Sequence, residues 1–534
     1  MKKVSVKWFS VTFALIWACD YAGFSFSSLL GPAFIKKECK MRSLPLSPVF
    51  VLLVLTLVGI QVGPALGGKV LVLPGEFSHW LNMKSLIQEL RTRNHSISIL
   101  TPSGTPSVKY NDTELQKQFE FIIFKVSFTA ADYKGFLDDF MHFSMYESHK
   151  ASVWTKARLI YAWLGRSNTI TKQYCEGMIE NTELMSQLRD AKFDLVLWDP
   201  MSPCGDLVAQ LLDVPIVASL RFTFGAVIER HCGHAPLPPS YVPSSPLPYS
   251  DVMTFRERVI SLLVNLLSSI VSELYWKFEM DSYYSEILGQ STTVCDSVGR
   301  TSMWLIRTFW DIESPRPMPP NFRYVGGLHC KPAKPLPKVI WRYSGPTPRS
   351  LGPNTKLLPW IPQNDLLGHP QTRAFVAHGG TNGIYEALFH GVPIVGIPLF
   401  GDQSDNLARV SRRGGAVVLN FNTMTSEEMS STISEVINNP SYTESMRRAS
   451  AIHRDRPLTA LQEAAFWVEF VLRNGASHLR LASYELNWFQ YHSLDTVAFL
   501  LLITAAIITV MVLITRKGLR LVLRLLRGSR PHQD

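Results

Sequence analysis

A stretch of about 20 residues without a charged side chain, Thr496 to Thr515, constrains this chain more than any other feature. That is about the length at which an α-helix crosses the hydrocarbon core of a bilayer, and helices of globular proteins rarely run so far without a polar face. Arg516, Lys517 and further arginines follow directly. Because basic flanks stay in the cytosol, the segment predicts a single-pass type I membrane protein with a cytosolic basic tail at 516–534 and its bulk in the lumen.

The N-terminus carries two apolar segments, each preceded by basic residues. Met41 and Arg42 precede an apolar run at 49–60 and a small-residue stretch that ends near Gly67, which is typical of a signal peptide at 41–67. An earlier run at 8–18 follows three lysines. We interpret 1–40 as an upstream extension and Met41 as the functional start; a cleaved or anchored double signal that begins at Met1 is the alternative.

The composition limits the class of protein. Of 534 residues, 46% are hydrophobic and 18% are charged, which excludes a disordered, collagenous or coiled-coil chain. The formal net charge is +10, but the one dense basic run is the tail, so no nucleic-acid-binding patch is indicated. The seven cysteines are too few and too scattered for a disulfide framework or a zinc site. Five lie beyond Gly67, so at least one luminal thiol is expected to stay unpaired.

The region 68–323 reads as one α/β domain. Lys69–Leu73 is a continuous apolar run that predicts a buried parallel strand, and a helical pattern and a second strand follow it as a βαβ unit. The other segments predicted here are strands at Ser96–Leu100, Phe121–Val126, Asp194–Trp198 and Pro215–Ser219, and helices at Trp80–Arg93 and Lys172–Asp190. Phe255–Phe278 is a strongly apolar helical segment; we favour a core helix, and a helix on the membrane surface is the alternative.

A Pro-rich linker at 324–338 leads to a second α/β domain at 339–475. A return segment at 476–495 then leads to the membrane helix. The strands predicted in the second domain are Val339–Arg342, Lys356–Pro359, Ala374–His378, Pro393–Pro398 and Ala416–Asn420. The helices predicted after them are Asn382–His390, Gln403–Arg412, Ser426–Ile437, Tyr442–His453 and Leu458–Leu472, the last three closing the domain.

A glycine-containing turn joins the predicted strand that ends at His378 to the helix that begins at Asn382. Glycines such as Gly380 allow the backbone to approach a ligand closely, and the free amides of a helix N-terminus suit a diphosphate. His378, Thr381 and Asn382 add side-chain donors. An ordinary tight turn would also explain these residues taken alone.

The neighbouring residues complete a nucleotide-sugar pattern. Trp360 offers a plane to stack on a base, and Gln363 offers an amide for its edge. Glu386 is placed to accept from ribose hydroxyls, and Asp402 with Gln403 suits the hydroxyls of a sugar. Arg342 completes the predicted donor-binding set.

These residues closely resemble the signature of the UDP-glycosyltransferases, and the chain from Gly68 onwards resembles a vertebrate UDP-glucuronosyltransferase. The stretches 325–335 and 488–495 are most similar to the second subfamily. The resemblance implies a GT-B fold, in which two Rossmann-like domains face each other across a cleft, with the acceptor bound by 68–323 and the UDP-sugar by 339–475.

The resemblance also implies the catalytic residues. His79 matches the general base that deprotonates the acceptor hydroxyl, which then attacks the anomeric carbon with inversion. Asp199 matches the carboxylate that orients and charge-stabilises this imidazole. Both residues follow predicted strands, where ligands bind open α/β sheets. No cofactor and no metal are expected.

The resemblance breaks after Lys338. Relatives continue there with a strand, a glycine-serine phosphate loop and a helix, so about 45 residues, or one βα unit, are absent. The absence is expected to remove the first strand and helix of the donor domain and amides that face the diphosphate. We favour a skipped exon or a gene-model error as its origin.

The leading functional hypothesis is a UDP-glucuronosyltransferase of the endoplasmic reticulum membrane, with luminal catalytic domains, that conjugates hydroxyl, amine or carboxyl groups of small lipophilic acceptors in detoxification. A transferase that uses another UDP-hexose is the first alternative. The second is an impaired member that dimerises with related transferases and regulates them. In either case a homo- or hetero-oligomer is expected. Aromatic residues that line an acceptor pocket or fill the core are Phe140, Phe143, Tyr146, Trp154 and Phe224; we favour core for most of them.

Overall fold

The computed structural model describes residues 67–220, 227–245, 247–333, 340–343, 345–348, 351 and 356–528. The predicted upstream extension and, apart from Gly67, the predicted signal peptide lie outside the described residues. So do Phe224, Lys338 and the last six residues of the tail.

Seven parallel strands form the sheet of the first domain. Their order is β3-β2-β1-β4-β5-β6-β7, so β1 lies between β2 and β4 and the chain changes direction across the sheet between β1 and β4. The strands are short runs of Val, Ile, Leu and aromatic residues buried on both faces, as parallel strands covered by helices are. Their bounds are β1 (Lys69–Leu73), β2 (Ser96–Pro102), β3 (Glu120–Phe124), β4 (Leu195–Trp198), β5 (Ile216–Leu220), β6 (Met303–Ile306) and β7 (Phe322–Tyr324).

Helices cover this sheet on both sides. They are α1 (Ser78–Thr92), α2 (Thr113–Gln116), α3 (Ala130–His142), α4 (Val153–Ile179), α5 (Thr182–Asp190), α6 (Gly205–Leu211), α7 (Phe255–Glu279), α8 (Asp281–Leu288) and α9 (Val294–Val298). Two π-helical turns, Phe143–Glu147 and Ile228–Cys232, interrupt the connections. The first five predicted strands are confirmed with end shifts of up to two residues. The predicted helix Lys172–Asp190 is instead the end of α4 followed by α5, and β6 and β7 were not predicted.

Only part of a sheet forms in the second domain. Among the described residues, β8 (Ile340–Arg342) pairs with β9 (Lys356–Leu358), and β10 (Phe375–Ala377), β11 (Ile394–Gly396) and β12 (Ala416–Val418) form a separate three-stranded sheet. All pairs are parallel. Among the described residues of the second domain, no strand pairs with both β8 and β10. The absence of a βα unit after Lys338 stays a prediction.

The remaining helices follow in chain order. They are α10 (Gln363–Leu367), α11 (Thr381–His390), α12 (Gln403–Arg412), α13 (Ser426–Asn438), α14 (Pro440–Arg454), α15 (Ala460–Asn474), α16 (Trp488–Tyr491) and α17 (Leu494–Gly528), with 3₁₀ turns at Ser477–Leu479 and Ala482–Glu485. The five helices predicted in the second domain are confirmed. Residues 494–523 of α17 form a candidate membrane span by length and composition.

Helix α15 packs against the first domain rather than closing the second, contrary to the interpretation of Leu458–Leu472. Ala464, Val468 and Val471 belong to the buried cluster formed by β1, α1 and β6, which includes Leu86 and Met303. Periodicity identified the apolar face of this helix but not the sheet that it covers.

Two disulfide bonds cross-link segments of the first domain. Cys175 at the end of α4 is bonded to Cys204 before α6, and Cys232 is bonded to Cys295 in α9. Cys330 is the free cysteine among the described residues. The expectation of at least one unpaired thiol is confirmed, whereas the scattered cysteines do form disulfides, because the fold brings distant segments together.

Helix α7 differs from the favoured core interpretation of Phe255–Phe278. Most of its large apolar side chains are exposed, and its buried residues are Ser261, Asn265 and Ser269. It is a second candidate span by length and composition alone. The core interpretation is therefore wrong for this helix.

Candidate active site between the two domains

The two residues predicted to carry the catalytic step lie side by side where the first sheet changes direction. His79 is the second residue of α1, four positions after Gly75 at the end of β1, and Asp199 follows β4. The Nδ1 atom of His79 lies 2.8 Å from Oδ2 of Asp199. Since β1 and β4 are neighbours, the fold places this pair at the switch point where open α/β sheets bind ligands.

A buried arginine, which the sequence did not suggest, completes this pair. Arg307 follows β6, and its Nη2 atom lies 3.0 Å from Oδ2 of Asp199 and 3.3 Å from Nδ1 of His79. Asp199 also accepts a hydrogen bond from the amide of Met201. Recognition of Met303–Ile306 as a strand would have drawn attention to Arg307, because polar residues at the carboxyl ends of strands face the cleft.

The charge of Asp199 is maintained although the side chain is fully buried. Burial alone would raise its pKa, but the charges of His79 and Arg307 and the hydrogen bonds outweigh burial and hold the pKa below its usual range. An ionised Asp199 can only accept, so Nδ1 of His79 carries the proton. When the imidazole is neutral, its Nε2 atom is the one that can accept a proton.

Gly75 allows the close approach of these side chains. A Cβ atom on Gly75 would lie 2.8 Å from Cβ of His79 and 3.1 Å from Cγ of Asp199. The space is therefore open only to glycine, and no pattern in the sequence indicated this residue.

Replacement of Gly75 by alanine is expected to lower kcat by about 10²-fold, because a displacement of about 1 Å disrupts reacting geometry at this cost. The KM for the nucleotide donor is expected to stay within about twofold. Steady-state kinetics of Gly75→Ala would be measured beside Gly165→Ala, where the new Cβ meets nothing within 4 Å. A kcat equal to that of Gly165→Ala would contradict the steric argument.

The glycine turn of the second domain adopts the predicted form. Gly380 is the N-cap of α11, which begins at Thr381, so the first amides of a 10-residue helix point out of its N-terminus. Gly379 has φ +87°, and a Cβ there would lie 2.6 Å from Leu407. A Cβ on Gly380 would lie 2.5 Å from Nε2 of His378. The backbone at this helix N-terminus thus depends on glycine, as the motif predicted.

A hydrogen bond joins this turn to the helix that bears His79. Nδ2 of Asn82 donates to Oδ1 of Asn382 over 2.7 Å and to the carbonyl of Ser78 over 2.9 Å. Asn82 lies one turn after His79, so the catalytic pair and the predicted diphosphate site are one helical turn apart. Asn82 was not identified from the sequence.

The predicted base and ribose residues are in direct contact. Nε2 of Gln363 donates to Oε2 of Glu386 over 2.6 Å. His329 of the linker lies 3.8 Å from the other oxygen, but burial lowers the pKa of His329 to about 4, so it is neutral and forms no ion pair. Burial raises the pKa of Glu386. Trp360, three residues before Gln363, is exposed.

The two residues predicted to hold the sugar differ in orientation. Oδ2 of Asp402 lies 3.3 Å from Oγ1 of Thr381 and accepts from Asn406 over 2.9 Å, so it belongs to the same cluster as the glycine turn. Gln403 is buried, and its Oε1 accepts from the amides of Leu399 and Phe400. Its side-chain carbonyl therefore stabilises the loop after β11. The backbone of Arg342 lies in β8, and its side chain lies outside the described residues.

Aromatic residues of the first domain extend from the catalytic pair towards this cluster. Phe140 packs on Trp163 with ring centroids 4.7 Å apart and meets the edge of Phe400 at 6.5 Å. Tyr133 lies at the other end, where burial and the charges of Glu76 and Asp199 raise its pKa to about 12. The core interpretation fails for Trp154 and Tyr146, which are exposed. Among the described residues, no group of three His, Cys, Asp or Glu side chains is placed to hold a metal ion.

Known proteins match the chain over most of its length. The family described as "UDP-glucoronosyl and UDP-glucosyl transferase" matches residues 68–339 and 337–527, two stretches that meet at the position where a missing βα unit is predicted. UDP-glucuronosyltransferase 2A1 of Mus musculus is 42% identical over 494 residues, which cover 84% of this chain and 93% of that protein. The Homo sapiens protein of the same name is 43% identical over 497 residues, with the same two coverages.

A solved structure supports the fold. The glycotransferase of kitacinnamycin superposes with a TM-score of 0.51 at 17% identity, over 76% of this chain and 99% of that chain. It shows the GT-B arrangement of two α/β domains and nothing finer. The family match and the identities above establish that the chain belongs to the UDP-glucuronosyltransferase family of glycosyltransferase enzymes, most similar to its second subfamily.

Proposed function

We propose that this chain transfers glucuronic acid from UDP-glucuronate to a hydroxyl, amine or carboxyl group of a small lipophilic acceptor. The observation that carries the proposal is the 2.8 Å contact between His79 and an ionised Asp199, one helical turn from the hydrogen bond to Asn382. A base beside a nucleotide-sugar site is what an inverting transfer requires.

In the proposed reaction His79 acts as the general base. Its Nε2 atom accepts the proton of the acceptor O–H while the oxygen attacks the anomeric carbon and the bond from that carbon to UDP breaks. The configuration at the anomeric carbon inverts, and the proton remains on the imidazole. Asp199 stabilises the imidazolium and fixes its tautomer, and Arg307 keeps Asp199 ionised. Arg307 is thus proposed as a positioning residue.

In the proposed donor complex the diphosphate lies at the N-terminus of α11. The amides from Thr381 onwards and the side chains of His378 and Asn382 would donate to its oxygens. Trp360 would stack on the base, and Glu386 would accept from the ribose after its contact with Gln363 rearranges. Asp402 would accept from sugar hydroxyls, with Gln403 donating and Arg342 adding positive charge. No cofactor or metal is part of this proposal.

The aromatic residues between the two ends of the cleft are proposed to bind the acceptor. Replacement of Phe140 by alanine is expected to raise the KM for a phenolic acceptor about 2- to 13-fold, because an aromatic contact contributes about 0.5–1.5 kcal/mol. The KM for the donor should not change. Ile437→Ala, on exposed α13, is the control; equal acceptor KM values in the two variants would contradict the assignment.

We place the enzyme in the endoplasmic reticulum membrane with its catalytic domains in the lumen. The basic residues in the C-terminal part of α17, from Arg516 onwards, support this orientation, and the two disulfides fit an oxidising compartment. Asn111, in a glycosylation sequon, is exposed.

The test is a transfer assay on membranes that contain the full chain, with a phenolic acceptor and either UDP-glucuronate or UDP-glucose. Formation of the glucuronide but not the glucoside is expected. Glucoside as the main product would overturn the choice of donor in favour of another UDP-hexose.

The second candidate function is that of an inactive partner that dimerises with intact relatives and modulates them. The gap between the β8-β9 pair and the β10-β11-β12 sheet favours it, because the absent unit would supply amides to the diphosphate. This candidate predicts co-purification with an active relative and no affinity for UDP. Measurable UDP binding by the isolated chain would argue against it.

A further inference from the structure

Helix α7 is held to the first domain by its polar side. Its buried residues are Ser261, Asn265 and Ser269, spaced every four positions so that they share one face. Ser261 accepts a hydrogen bond from the amide of Ser244 through Oγ over 2.9 Å and another from its hydroxyl through the backbone carbonyl. A helix on the surface of a soluble domain has the opposite arrangement, with apolar residues inside.

The π-helical turn at Ile228–Cys232 fixes this orientation. Arg230 donates to Oδ1 of Asn265 and to Oγ of Ser269. Burial and the positive charge of Arg230 lower the pKa of His231 to about 4, so its neutral ring accepts from Arg230 at Nε2 and donates from Nδ1 to Glu273 over 2.9 Å. These contacts hold α7 with its polar face towards the domain.

The outward face of α7 is apolar between its two charged ends. Residues 259–272 contain no charged side chain, and the charged residues are confined to the two ends. Six large side chains on this face are between 50% and 75% exposed: Phe255, Leu263, Leu266, Leu267, Ile270 and Phe278. An exposed apolar surface of this extent is typical of a binding surface.

His234, two residues after this turn, holds the segment that leads into the candidate membrane span. Nδ1 of His234 lies 2.8 Å from Oγ of Ser483, and its ring stacks on Tyr484 at 4.3 Å and meets the edge of Tyr491 at 5.5 Å. Helix α17 begins at Leu494. The turn and the two residues after it, 228–234, therefore connect α7 to a residue three positions before the start of that helix.

We propose that the apolar face of α7 lies in the interface of the lipid bilayer that α17 spans, as a second membrane contact of the chain. The occupant is lipid, because the turn that holds α7, with the two residues after it, also contacts the segment leading into α17. The helix lies along the membrane and does not cross it, since crossing would break the contacts of Asn265 and Ser269. Arg256, Arg258 and Lys277 at its ends would remain at the headgroups.

The test places a fluorescent label on this face of the full chain in phosphatidylcholine vesicles. Leu263→Cys, labelled with a polarity-sensitive maleimide, is compared with Ile452→Cys on α14, which is similarly exposed. Doxyl-labelled lipid is expected to quench the label at 263 at least about fivefold more than the label at 452. Equal quenching at the two positions would overturn the proposal. Disulfide cross-linking between two 263 positions without quenching would also overturn it, in favour of a second copy of the chain.

A second measurement does not depend on labelling. A protease site inserted between Tyr491 and Leu494 separates the luminal part from α17 in the membrane. The cleaved part is expected to stay with the vesicles, and Leu263→Glu with Leu267→Glu is expected to release it at least about tenfold more readily, whereas Ile437→Glu with Ile452→Glu is not. The proposal would be overturned if the unsubstituted luminal part were released as readily as the variant with Leu263→Glu and Leu267→Glu. Non-reducing electrophoresis that detects both disulfides shows that each variant has folded, and the readout is independent of transferase activity.

Discussion

His79→Ala is expected to lower kcat/KM for glucuronide formation by about 10³-fold in whichever form of the chain is active. The alanine variant has no group within reach of Asp199 to accept the proton of the acceptor hydroxyl. Asp199→Asn is expected to cause a loss of similar order, because an amide at 2.8 Å favours the wrong tautomer of His79. Initial rates at saturating donor would measure both effects.

The donor affinity separates this role from a structural one. UDP binding by calorimetry is expected to be the same for His79→Ala and for the unsubstituted chain, because His79 belongs to the first domain and the donor residues to the second. His478→Ala, at an exposed histidine, is the matched control and should keep full activity. Turnover of His79→Ala within threefold of that control would refute the assignment of the base.

Insertion of the absent βα unit after Lys338 has the second largest expected effect. The restored chain is expected to bind UDP at least about 10²-fold more tightly than the chain as it stands, which corresponds to about 2.7 kcal/mol or a few hydrogen bonds to charged groups. The inserted strand would pair with both β8 and β10, and its loop would add amides at the diphosphate. Calorimetry with UDP and the transfer assay would measure the change.

The control for this insertion is a segment of the same length that forms no strand and no helix. A Gly/Ser segment of about 45 residues after Lys338 leaves the edges of β8 and β10 as they are and should not restore binding. Val376 in β10 is 42% exposed, so the restored strand is also expected to protect this edge from aggregation. Equal UDP affinity in the unmodified and restored chains would show that the domain closes without the unit.

Much of the fold could be predicted from the sequence because each buried parallel strand corresponds to a short continuous apolar segment. Lys69–Leu73 and Gln403–Arg412 have the bounds that the sequence indicated. Met303–Ile306 and Phe322–Tyr324 were missed because runs of three or four apolar residues are too short to be distinguished by periodicity. The partner of an amphipathic helix is also not a local property, which is why the packing of Ala460–Asn474 was misassigned.

The candidate site was predicted where a residue type and a motif coincide. His79, Asp199 and the glycine turn carry recognisable chemistry at the ends of strands. Arg307 contacts the pair from the end of a strand that the sequence did not indicate. Gly75 matters because it has no Cβ atom, which would collide with His79 and Asp199. Gln403 was identified, but its inward orientation follows from the free amides of Leu399 and Phe400, which only the folded loop reveals.

The packing of helix Ala460–Asn474 on the first sheet limits how this protein can be recombined. If the chain were cut at the linker, the first domain would lack Ala464, Val468 and Val471, and part of its core would be exposed to solvent. A chimera that takes its first domain from a relative would therefore keep an intact core only if residues 460–474 came from the same relative. The two domains cannot be exchanged by a single cut at the linker, because a helix from the C-terminal part of the chain completes the core of the first domain.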